Sequence, residues 1–219
     1  KPNTKHEEKI NNKRNNIFFG KLGERKSTLL KNKSFKFASF GDSFVFCRYV
    51  KNNQTWQNYL SKSSKSNGLN FGVGNYGLDQ IYLKYSSTNI PKNIKTVYIG
   101  FVPETLSRCL SSWKHYQEFN NIYAFKPTFN LKNKKLILRD NPIQSIKDFN
   151  KIEKIINELK KSEFFYEEKF LKYKLSFPYL ISFMKNIKHN FNLIFFSFLK
   201  ILNINQNKIY DFIINTNCK

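Results

Sequence analysis

Cysteine is scarce in this chain, and its distribution excludes two classes of small protein. The three cysteines, Cys47, Cys109 and Cys218, are far apart and odd in number. Such a set matches neither the paired cysteines of a disulfide framework nor the close pairs of a zinc site. We therefore expect free thiols, as in a reducing compartment, and no structural metal.

Long hydrophobic runs are also missing. The longest, residues 193–199, is interrupted by Ser197 and is far shorter than the roughly 20 apolar residues of a membrane-spanning helix. The N-terminal residues KPNTKHEEKINNKRNN carry charge but no apolar core, so no signal peptide is predicted. These two observations favour a cytoplasmic protein.

Arginine is rare although the chain is strongly basic. The net charge is +23, but only five of the 38 basic residues are arginine. Arginine is the side chain that makes forked contacts with phosphate and guanine. The lysines are spread along the whole chain rather than gathered in one stripe. We interpret the charge as a solvated lysine-rich surface and expect no specific nucleic-acid partner.

Apolar residues are abundant enough for a core. Hydrophobic residues occupy 40% of the 219 positions, and 23 positions are phenylalanine. A chain of this size forms one sizeable domain or one domain with appendages. Its pattern divides it into a basic N-terminal arm over 1–34, an α/β domain over 35–160, and an amphipathic helical extension or insertion over 161–219.

Strand and helix patterns alternate in the middle segment. Strands are predicted over 34–40, 68–71 and 95–102, with helices over 54–60 and 78–87 between them. This alternation is typical of an α/β fold with a parallel sheet. The nearly unbroken apolar run of the third strand predicts that both of its faces are buried.

Two more helices are predicted, one on either side of a segment over 131–142 that is either a short hairpin or an extended excursion. The first covers 104–118. The second begins at Ser145, because Asp148 three positions later completes a capping box and apolar residues then recur at helical spacing.

Two of the predicted helices have a clear apolar face. Over 54–60, Thr55 is the predicted N-cap, and the face predicted to point inward holds Trp56, Tyr59 and Leu60. Over 177–202, apolar residues recur with a period of about 3.6. They are Leu180, Met184, Ile187, Phe191, Phe195, Phe198 and Leu202. This helix either covers a core or a partner, or lies on a membrane surface, and the sequence leaves both interpretations open.

A short turn, Gly41-Asp42-Ser43-Phe44, stands at the end of the first predicted strand of the α/β segment. The carboxyl edge of a parallel sheet is where α/β folds place ligands. A serine there, at the start of a helix, has backbone N–H groups nearby that stabilise an oxyanion. The same four residues also occur in ordinary turns, and taken alone they favour that interpretation.

Three further blocks follow the turn: TWQNYL, NGLNFGVGNYGLDQ and VYIGFVPE. In this order and spacing the four blocks resemble the SGNH/GDSL hydrolase family, over about residues 35–110. The resemblance implies a three-layer α/β/α flavodoxin-like domain with a parallel sheet. It also implies hydrolysis or transfer of esters without a metal or cofactor.

The resemblance assigns roles to individual residues. Ser43 matches the nucleophile, and its N–H matches the first oxyanion donor. Asn75 stands where the family has a glycine whose N–H is the second donor, and Gly74 beside it is the alternative donor. The residues that would support the two turns are Gly41, Asp42, Asn70 and Gly72.

The VYIGFVPE block departs from the family pattern. The family has an asparagine side chain as a further oxyanion donor, whereas Glu104 and Thr105 occupy that neighbourhood here. Of these two, Thr105 has a hydroxyl that is able to donate. Arg108 is a candidate either for binding an anionic group of the substrate or for a surface ion pair.

A catalytic base is not apparent. The family supplies it from an Asp-x-x-His motif, and none of His6, His115 and His189 stands in such a motif. Two hypotheses follow: the sequence ends before that motif, or the protein is a non-catalytic member of the family. The intact turn at Ser43 favours the first hypothesis.

The leading functional interpretation is a serine ester hydrolase acting on O-acyl groups of a carbohydrate or lipid. One alternative is a non-catalytic module of the same fold that binds a glycan or a protein. The other is a basic adaptor that makes peripheral contact with a membrane through residues 177–202.

Overall fold

The computed structural model describes four stretches of the chain: residues 2–10, 13–27, 30–31 and 33–202. They form two compact units. Among the described residues, unit one runs to Cys109 and includes Leu131–Leu136, whereas unit two comprises Leu110–Asn130 and residues 137–202.

Strands and helices alternate through the described residues. The strands are β1 (Lys5–Ile10), β2 (Lys13–Phe18), β3 (Phe35–Gly41), β4 (Asn67–Asn70), β5 (Thr96–Gly100), β6 (Thr128–Lys132) and β7 (Lys135–Arg139). The α-helices are α1 (Ser43–Phe46), α2 (Trp56–Ser63), α3 (Leu78–Ser87), α4 (Pro103–Ser107), α5 (Lys114–Gln117), α6 (Ile152–Lys160), α7 (Leu171–Tyr173), α8 (Tyr179–Lys185) and α9 (Ile187–Ile201). Short 3-10 helices cover Asn52–Gln54, Arg108–Leu110 and Ile146–Lys151, and a π-helix covers Tyr166–Phe170.

The centre of unit one is a three-stranded parallel sheet in the order β4-β3-β5. Ser39 of β3 is in register with Asn70 of β4 on one side and with Tyr98 of β5 on the other. Helix α2 lies between β3 and β4 in the chain, and α3 lies between β4 and β5. The α/β class with a parallel sheet is therefore confirmed. The buried core of this sheet consists of Ala38, Phe40, Leu69, Phe71 and Ile81.

Strand β5 is more exposed than its apolar sequence predicts. Tyr98 and Ile99 are 42% and 49% exposed, and Phe101 just after the strand is 53% exposed. Within the described residues β5 pairs only with β3. The prediction that both faces of this strand are buried is therefore wrong for this structure. An apolar run identifies a strand, but the number of covered sides depends on the neighbours that the fold provides.

The N-terminal arm is a hairpin that belongs to unit one. Strands β1 and β2 pair antiparallel, and Ile17 of β2 is completely buried. Asn15 Nδ2 donates to Val50 O at 3.1 Å, and Arg25 forms an antiparallel bridge with Asn70 at the end of β4. The border predicted at position 34 is therefore not a border between units. A few buried contacts hold a segment whose sequence is mostly polar.

The helix predicted over 104–118 is interrupted. It consists of α4 and α5, which the 3-10 helix Arg108–Leu110, two serines and Trp113 separate. The N–H of Ser112 donates to Glu163 Oε1 at 2.7 Å, across 51 positions of sequence, instead of to a helical carbonyl. Tertiary contacts of this kind override local helix propensity.

Two local predictions about residues after position 127 are confirmed. Strands β6 and β7 form a two-stranded sheet where a short hairpin or an extended excursion over 131–142 is predicted. Asp148 Oδ2 accepts from the Ser145 N–H at 2.7 Å, which is the predicted capping box, and α6 follows after one 3-10 helix. Both features depend on residues only a few positions apart, which is why the sequence reveals them.

Unit two is built around aromatic side chains. Its buried core consists of Trp113, Tyr116, Leu159 and Phe165. Trp113 also stacks on Phe125, with the ring centroids 5.2 Å apart. The border predicted at position 160 falls inside this packing, because residues on both sides of it contribute to one core.

The helix predicted over 177–202 is divided into α8 and α9. The break lies at Asn186, whose φ of -119° and ψ of 33° leave the helical region. Asparagine interrupts helices because its amide competes for backbone hydrogen bonds. All seven residues of the predicted apolar stripe are between 47% and 74% exposed. Among the described residues, no helix is both long and apolar enough to cross a membrane.

Glu163 makes the stability of unit two depend on pH. It is 5% exposed, and burial raises the pKa of its carboxyl above the ordinary value of 4.5, while hydrogen bonds from Ser112 act in the opposite direction. The folded protein therefore keeps a proton that the unfolded chain releases. Stability is consequently lost as the pH rises from 4.5 through the raised pKa of the folded state.

We expect Glu163→Gln to remove this loss, because the amide keeps an oxygen that accepts from Ser112 and has no charge to desolvate. The Tm should match the wild type at about pH 4 and exceed it at about pH 8. Thermal melting at both pH values measures this. Glu158→Gln on the exposed side of α6 is the control, and an equal gain in that variant would contradict the prediction.

Candidate functional site

Ser43 stands at the carboxyl end of the central strand. It is the first residue of α1 and follows β3 and Asp42 directly. Asp42 caps this helix, because its Oδ1 accepts from the Phe44 N–H at 2.9 Å. Ser43 is half-buried, and its Oγ forms no hydrogen bond within the described part of the chain. The fold thus places a serine hydroxyl without a competing partner at the edge of the sheet.

Gly41 and Gly100 make room for the first turn of α1. A Cβ on Gly41 would lie 2.2 Å from Val45 Cγ2 and 2.5 Å from Gly100 O. A Cβ on Gly100 would lie 2.5 Å from the same Val45 methyl. Neither glycine has a positive φ. The turn before Ser43 therefore requires glycine for close packing and not for an unusual backbone angle.

Asp42 is 1% exposed, and its carboxylate contacts Thr105 and Arg108, which follow the VYIGFVPE block. Thr105 Oγ1 donates to Asp42 Oδ2 at 3.4 Å and accepts from the Val102 N–H at 2.9 Å. Arg108 Nη1 lies 3.8 Å from the same carboxylate oxygen and donates to Tyr76 O at 3.2 Å. These contacts join the turn before α1 to the loops after β4 and β5.

Thr105 and Arg108 therefore support the turn before α1 in this structure. Thr105 is completely buried and its hydroxyl donates to Asp42, so it is not available as an oxyanion donor. Arg108 pairs with the buried Asp42 carboxylate, so its ion pair is not the surface ion pair that the sequence suggests. Glu104 is exposed in the first turn of α4, where a negative charge suits the helix dipole. We assign Thr105 and Arg108 to support of the turn rather than to contact with a substrate.

The loop after β4 runs beside the end of β3. The Val73 N–H donates to Gly41 O at 2.9 Å, which continues the sheet to the turn that precedes Ser43. Asn70 is 1% exposed, and its Oδ1 accepts from the Gly72 N–H at 2.9 Å. The two blocks of the predicted site are thus side by side, and Asn70 holds the second one in shape.

Gly74 and Asn75 form the tip of this loop. The Tyr76 N–H donates to Val73 O at 3.4 Å, and Asn75 has a φ of 66°. A positive φ at the third position is typical of a type II turn, in which asparagine is tolerated. The N–H groups of Gly74, Asn75 and Ser43 form no hydrogen bond within the described residues. Three donors suited to an oxyanion therefore remain at neighbouring strand ends.

Gly72 sets the distance between this loop and α1. A Cβ there would lie 2.2 Å from Phe46 N and 2.7 Å from Phe46 Cα, which are backbone atoms that cannot rotate away. We expect Gly72→Ala to push the loop from α1 and to lower the free energy of unfolding by about 1–3 kcal/mol. A methyl on Gly74 meets open space, so Gly74→Ala is the matched control, with an effect within about 0.5 kcal/mol. Urea unfolding measures both variants, and equal losses would argue against this account.

Arg25 is a part of the site that sequence reasoning misses. Its guanidinium is buried against the loop that follows α1. Nη1 donates to Phe46 O at 2.7 Å and to Cys47 O at 2.8 Å. Nη2 donates to Val50 O at 2.5 Å, and Nε donates to Asn52 Oδ1 at 3.0 Å. One feature of the sequence could have identified Arg25. Arginine is rare in this lysine-rich chain, and it is the side chain that presents a fork of donors.

Helix α2 presents a polar face to the site, contrary to the prediction. Gln57 is completely buried, and its Nε2 donates to Val45 O of α1 at 2.7 Å. Tyr59, which was predicted to face inward, is 60% exposed. The N-cap is confirmed, since Thr55 Oγ1 accepts from the Asn58 N–H at 3.3 Å. The carbonyls around α1 need donors, and this need decides which face of α2 is buried.

No histidine is hydrogen-bonded to Ser43 in the described part of the chain. His6 lies in unit one, where it lines a cavity together with Gly74. His115 and His189 lie in unit two, where burial lowers the pKa of both imidazoles.

Two other kinds of chemistry find no support at this site. Cys47 lies four positions after Ser43, but burial raises the pKa of its thiol and so disfavours the reactive thiolate. Among the described residues, no group of histidine, cysteine and acidic side chains is arranged to hold a metal ion.

Comparison of the chain with models of known families finds no match, and neither does comparison with curated proteins or with solved structures. The resemblance to the SGNH/GDSL family therefore rests on the residues of the Ser43 and Asn70 blocks.

Proposed function

We propose that this protein is a serine ester hydrolase of the SGNH/GDSL type, with Ser43 as its nucleophile. One observation carries the proposal: a serine hydroxyl without a hydrogen bond stands at a helix start, beside N–H groups that are also unpaired in the described residues. Preorganised donors of this kind supply a large part of the catalysis of acyl transfer.

The order of the sheet supports a flavodoxin-like arrangement. The order β4-β3-β5 corresponds to strands 2-1-3 at the start of a flavodoxin-like sheet. Such folds bind ligands outside the carboxyl ends of the strands, where the strand order reverses. The end of β3, where Ser43 stands, is that position in a three-layer α/β/α domain of this kind.

In the proposed reaction, Ser43 Oγ attacks the ester carbonyl carbon while a base removes the hydroxyl proton. The charge passes to the carbonyl oxygen, which accepts from the N–H groups of Ser43 and Asn75, with Gly74 as the alternative donor. The intermediate then collapses and the C–O bond to the alcohol breaks. The alcohol leaves with the proton, and the acyl group stays on Ser43. Water releases the acid by the same steps.

The base must be a histidine that a carboxylate orients, and the family resemblance implies an Asp-x-x-His motif for this pair. No such pair is bonded to Ser43 in the described residues. Serine hydrolases that lack a member of the triad keep about 10³–10⁴-fold catalysis over water through the oxyanion hole and binding. We therefore expect this chain alone to acylate slowly and to respond to added imidazole.

The proposed substrates are O-acyl groups of a carbohydrate or lipid. The direct test is transfer of an acetyl group from p-nitrophenyl acetate to Ser43, which mass spectrometry detects on the peptide that contains this residue. Transfer that persists in Ser43→Ala would overturn the proposal.

The exposed stripe on α8 and α9 favours a second candidate function, which is contact with a membrane surface. Residues 177–202 contain three lysines and no acidic residue. An apolar face flanked by lysines suits an anionic lipid surface. Sedimentation with anionic vesicles that weakens as salt rises supports this candidate, and the absence of binding rejects it.

A non-catalytic binding module would instead bind its ligand equally well after Ser43→Ala.

A further inference from the structure

A cavity of about 530 Å³ lies beside the proposed oxyanion donors in unit one. Its walls come from the start of β1, from the end of α1 and from the loop after β4. Gly74 and Asn75 belong to the lining, and their N–H groups form no hydrogen bond within the described residues. The volume suits a small ligand, since ligand pockets typically measure about 300–1,000 Å³.

The titratable side chains of this cavity are bases. They are Lys5 and His6 of β1 and Arg48 after α1. No carboxylate lines the cavity in the part of the chain that the structure describes. Backbone N–H groups and cationic side chains around one concavity favour an anion.

Arg48 connects this cavity to the nucleophile. Its backbone N–H donates to Ser43 O at 3.2 Å, so the backbone of this cationic residue is hydrogen-bonded directly to that of Ser43. Phe46, one turn after Ser43, stacks on Phe19 with ring centroids 6.2 Å apart, and both rings line the cavity. The cavity thus combines an apolar wall with a cationic rim.

The walls are held in place by contacts already described. Gly72 lies against the backbone of Phe46, and Arg25 Nη1 donates to Phe46 O at 2.7 Å. The loop after β4 and the end of α1 therefore hold a fixed separation. A concavity with fixed walls binds without the cost of ordering its loops.

We propose that this cavity binds an anionic group of the substrate, so that the preferred ester carries a carboxylate or a phosphate near its scissile bond. The N–H groups of Gly74 and Asn75 take the carbonyl oxygen, and Lys5 and Arg48 take the anionic group. As a substrate site the inference rests on the proposed ester hydrolysis, whereas anion binding itself is measurable without catalysis.

The binding test uses the full chain with Ser43→Ala, so that no turnover interferes. Inorganic phosphate and acetate are titrated separately, and the amide NMR signals of Gly74 and Asn75 are followed. Arg48→Gln and Lys5→Gln should each weaken the binding of at least one of the two anions about three- to tenfold. Both side chains are exposed, so neither change should unfold the protein.

Lys92→Gln is the matched control for this test. Lys92 is an exposed lysine of unit one that does not line the cavity, and its replacement changes the net charge equally. Equal weakening in Lys92→Gln would show attraction by the overall charge alone and would overturn the proposal. No response of the Gly74 and Asn75 signals to either anion would also overturn it. Phosphate binding without acetate binding, or the reverse, identifies the anionic group.

A kinetic comparison separates this inference from the proposed function. The anionic ester p-nitrophenyl hemisuccinate should show a lower KM than neutral p-nitrophenyl butyrate, and Arg48→Gln should remove the difference. If neither ester is cleaved but an anion binds in the cavity and Arg48→Gln weakens that binding, ester hydrolysis fails and the anion site stands. If both esters are cleaved with equal KM, the anion site fails and hydrolysis stands.

Discussion

If the proposed function is correct, Ser43→Ala will abolish the transfer of an acetyl group from p-nitrophenyl acetate to this protein. The side chain is the only part of the site that forms the covalent bond, so its removal leaves oxyanion donors without a nucleophile. We expect the acylation rate to fall by at least about 10³-fold. Mass spectrometry of the peptide that contains Ser43, together with release of p-nitrophenolate, measures both halves of the reaction.

Added imidazole provides a second test of the role of Ser43. Added imidazole supplies the base that is not bonded to Ser43 in the described residues, so it should accelerate acylation of the wild type. It should not produce an adduct at this position in Ser43→Ala. Ser86→Ala, an exposed serine on α3, is the matched control and should behave like the wild type. An acetyl group found equally on surface serines and lysines would show non-specific acetylation and defeat the proposal.

Arg25→Ala is expected to cause the largest loss of stability. The guanidinium is 2% exposed, and its removal leaves Phe46 O and Cys47 O without their side-chain donor and Val50 O with Asn15 Nδ2 alone. Each hydrogen bond to a charged group contributes about 1.5–3 kcal/mol. We expect the free energy of unfolding to fall by about 3 kcal/mol or more, and urea unfolding measures it.

Two further variants separate the role of Arg25 from a general effect of charge. Lys26→Ala removes an exposed cation from the next position, and we expect a change within about 0.5 kcal/mol. Arg25→Lys keeps the charge but loses the fork of donors, so its stability should lie between those of the other two. If it still folds, it should acylate Ser43 more slowly than Lys26→Ala, because Arg25 positions the end of α1. Equal losses in Arg25→Lys and Lys26→Ala would contradict this role.

The secondary structure of both units could be predicted where it depends on short-range pattern. The strand before Gly41, the N-cap at Thr55 and the capping box at Ser145 are all present. Each follows from the types of a few neighbouring residues, whose backbone preferences and side-chain hydrogen bonds act within one turn.

The faces of the elements could not be predicted in the same way. The aromatic face of α2 is partly exposed and Gln57 is buried instead, because the carbonyl of Val45 requires a donor. The apolar residues of β5 are exposed because the strand has one partner in the described residues. Hydrophobicity measures how much a side chain gains from burial, but it does not say which neighbours the fold will supply.

The sequence by itself determined the α/β class and the order in which the candidate nucleophile and the two glycine-containing turns follow their strands. It did so because those features are encoded in local pattern and spacing. Only the tertiary structure decided that Thr105 and Arg108 hold Asp42, that Arg25 closes the end of α1, and that Lys5 and Arg48 line one cavity with Gly74. These relations join residues far apart in the chain, and distances between such residues exist only after the sheet has brought its strand ends together.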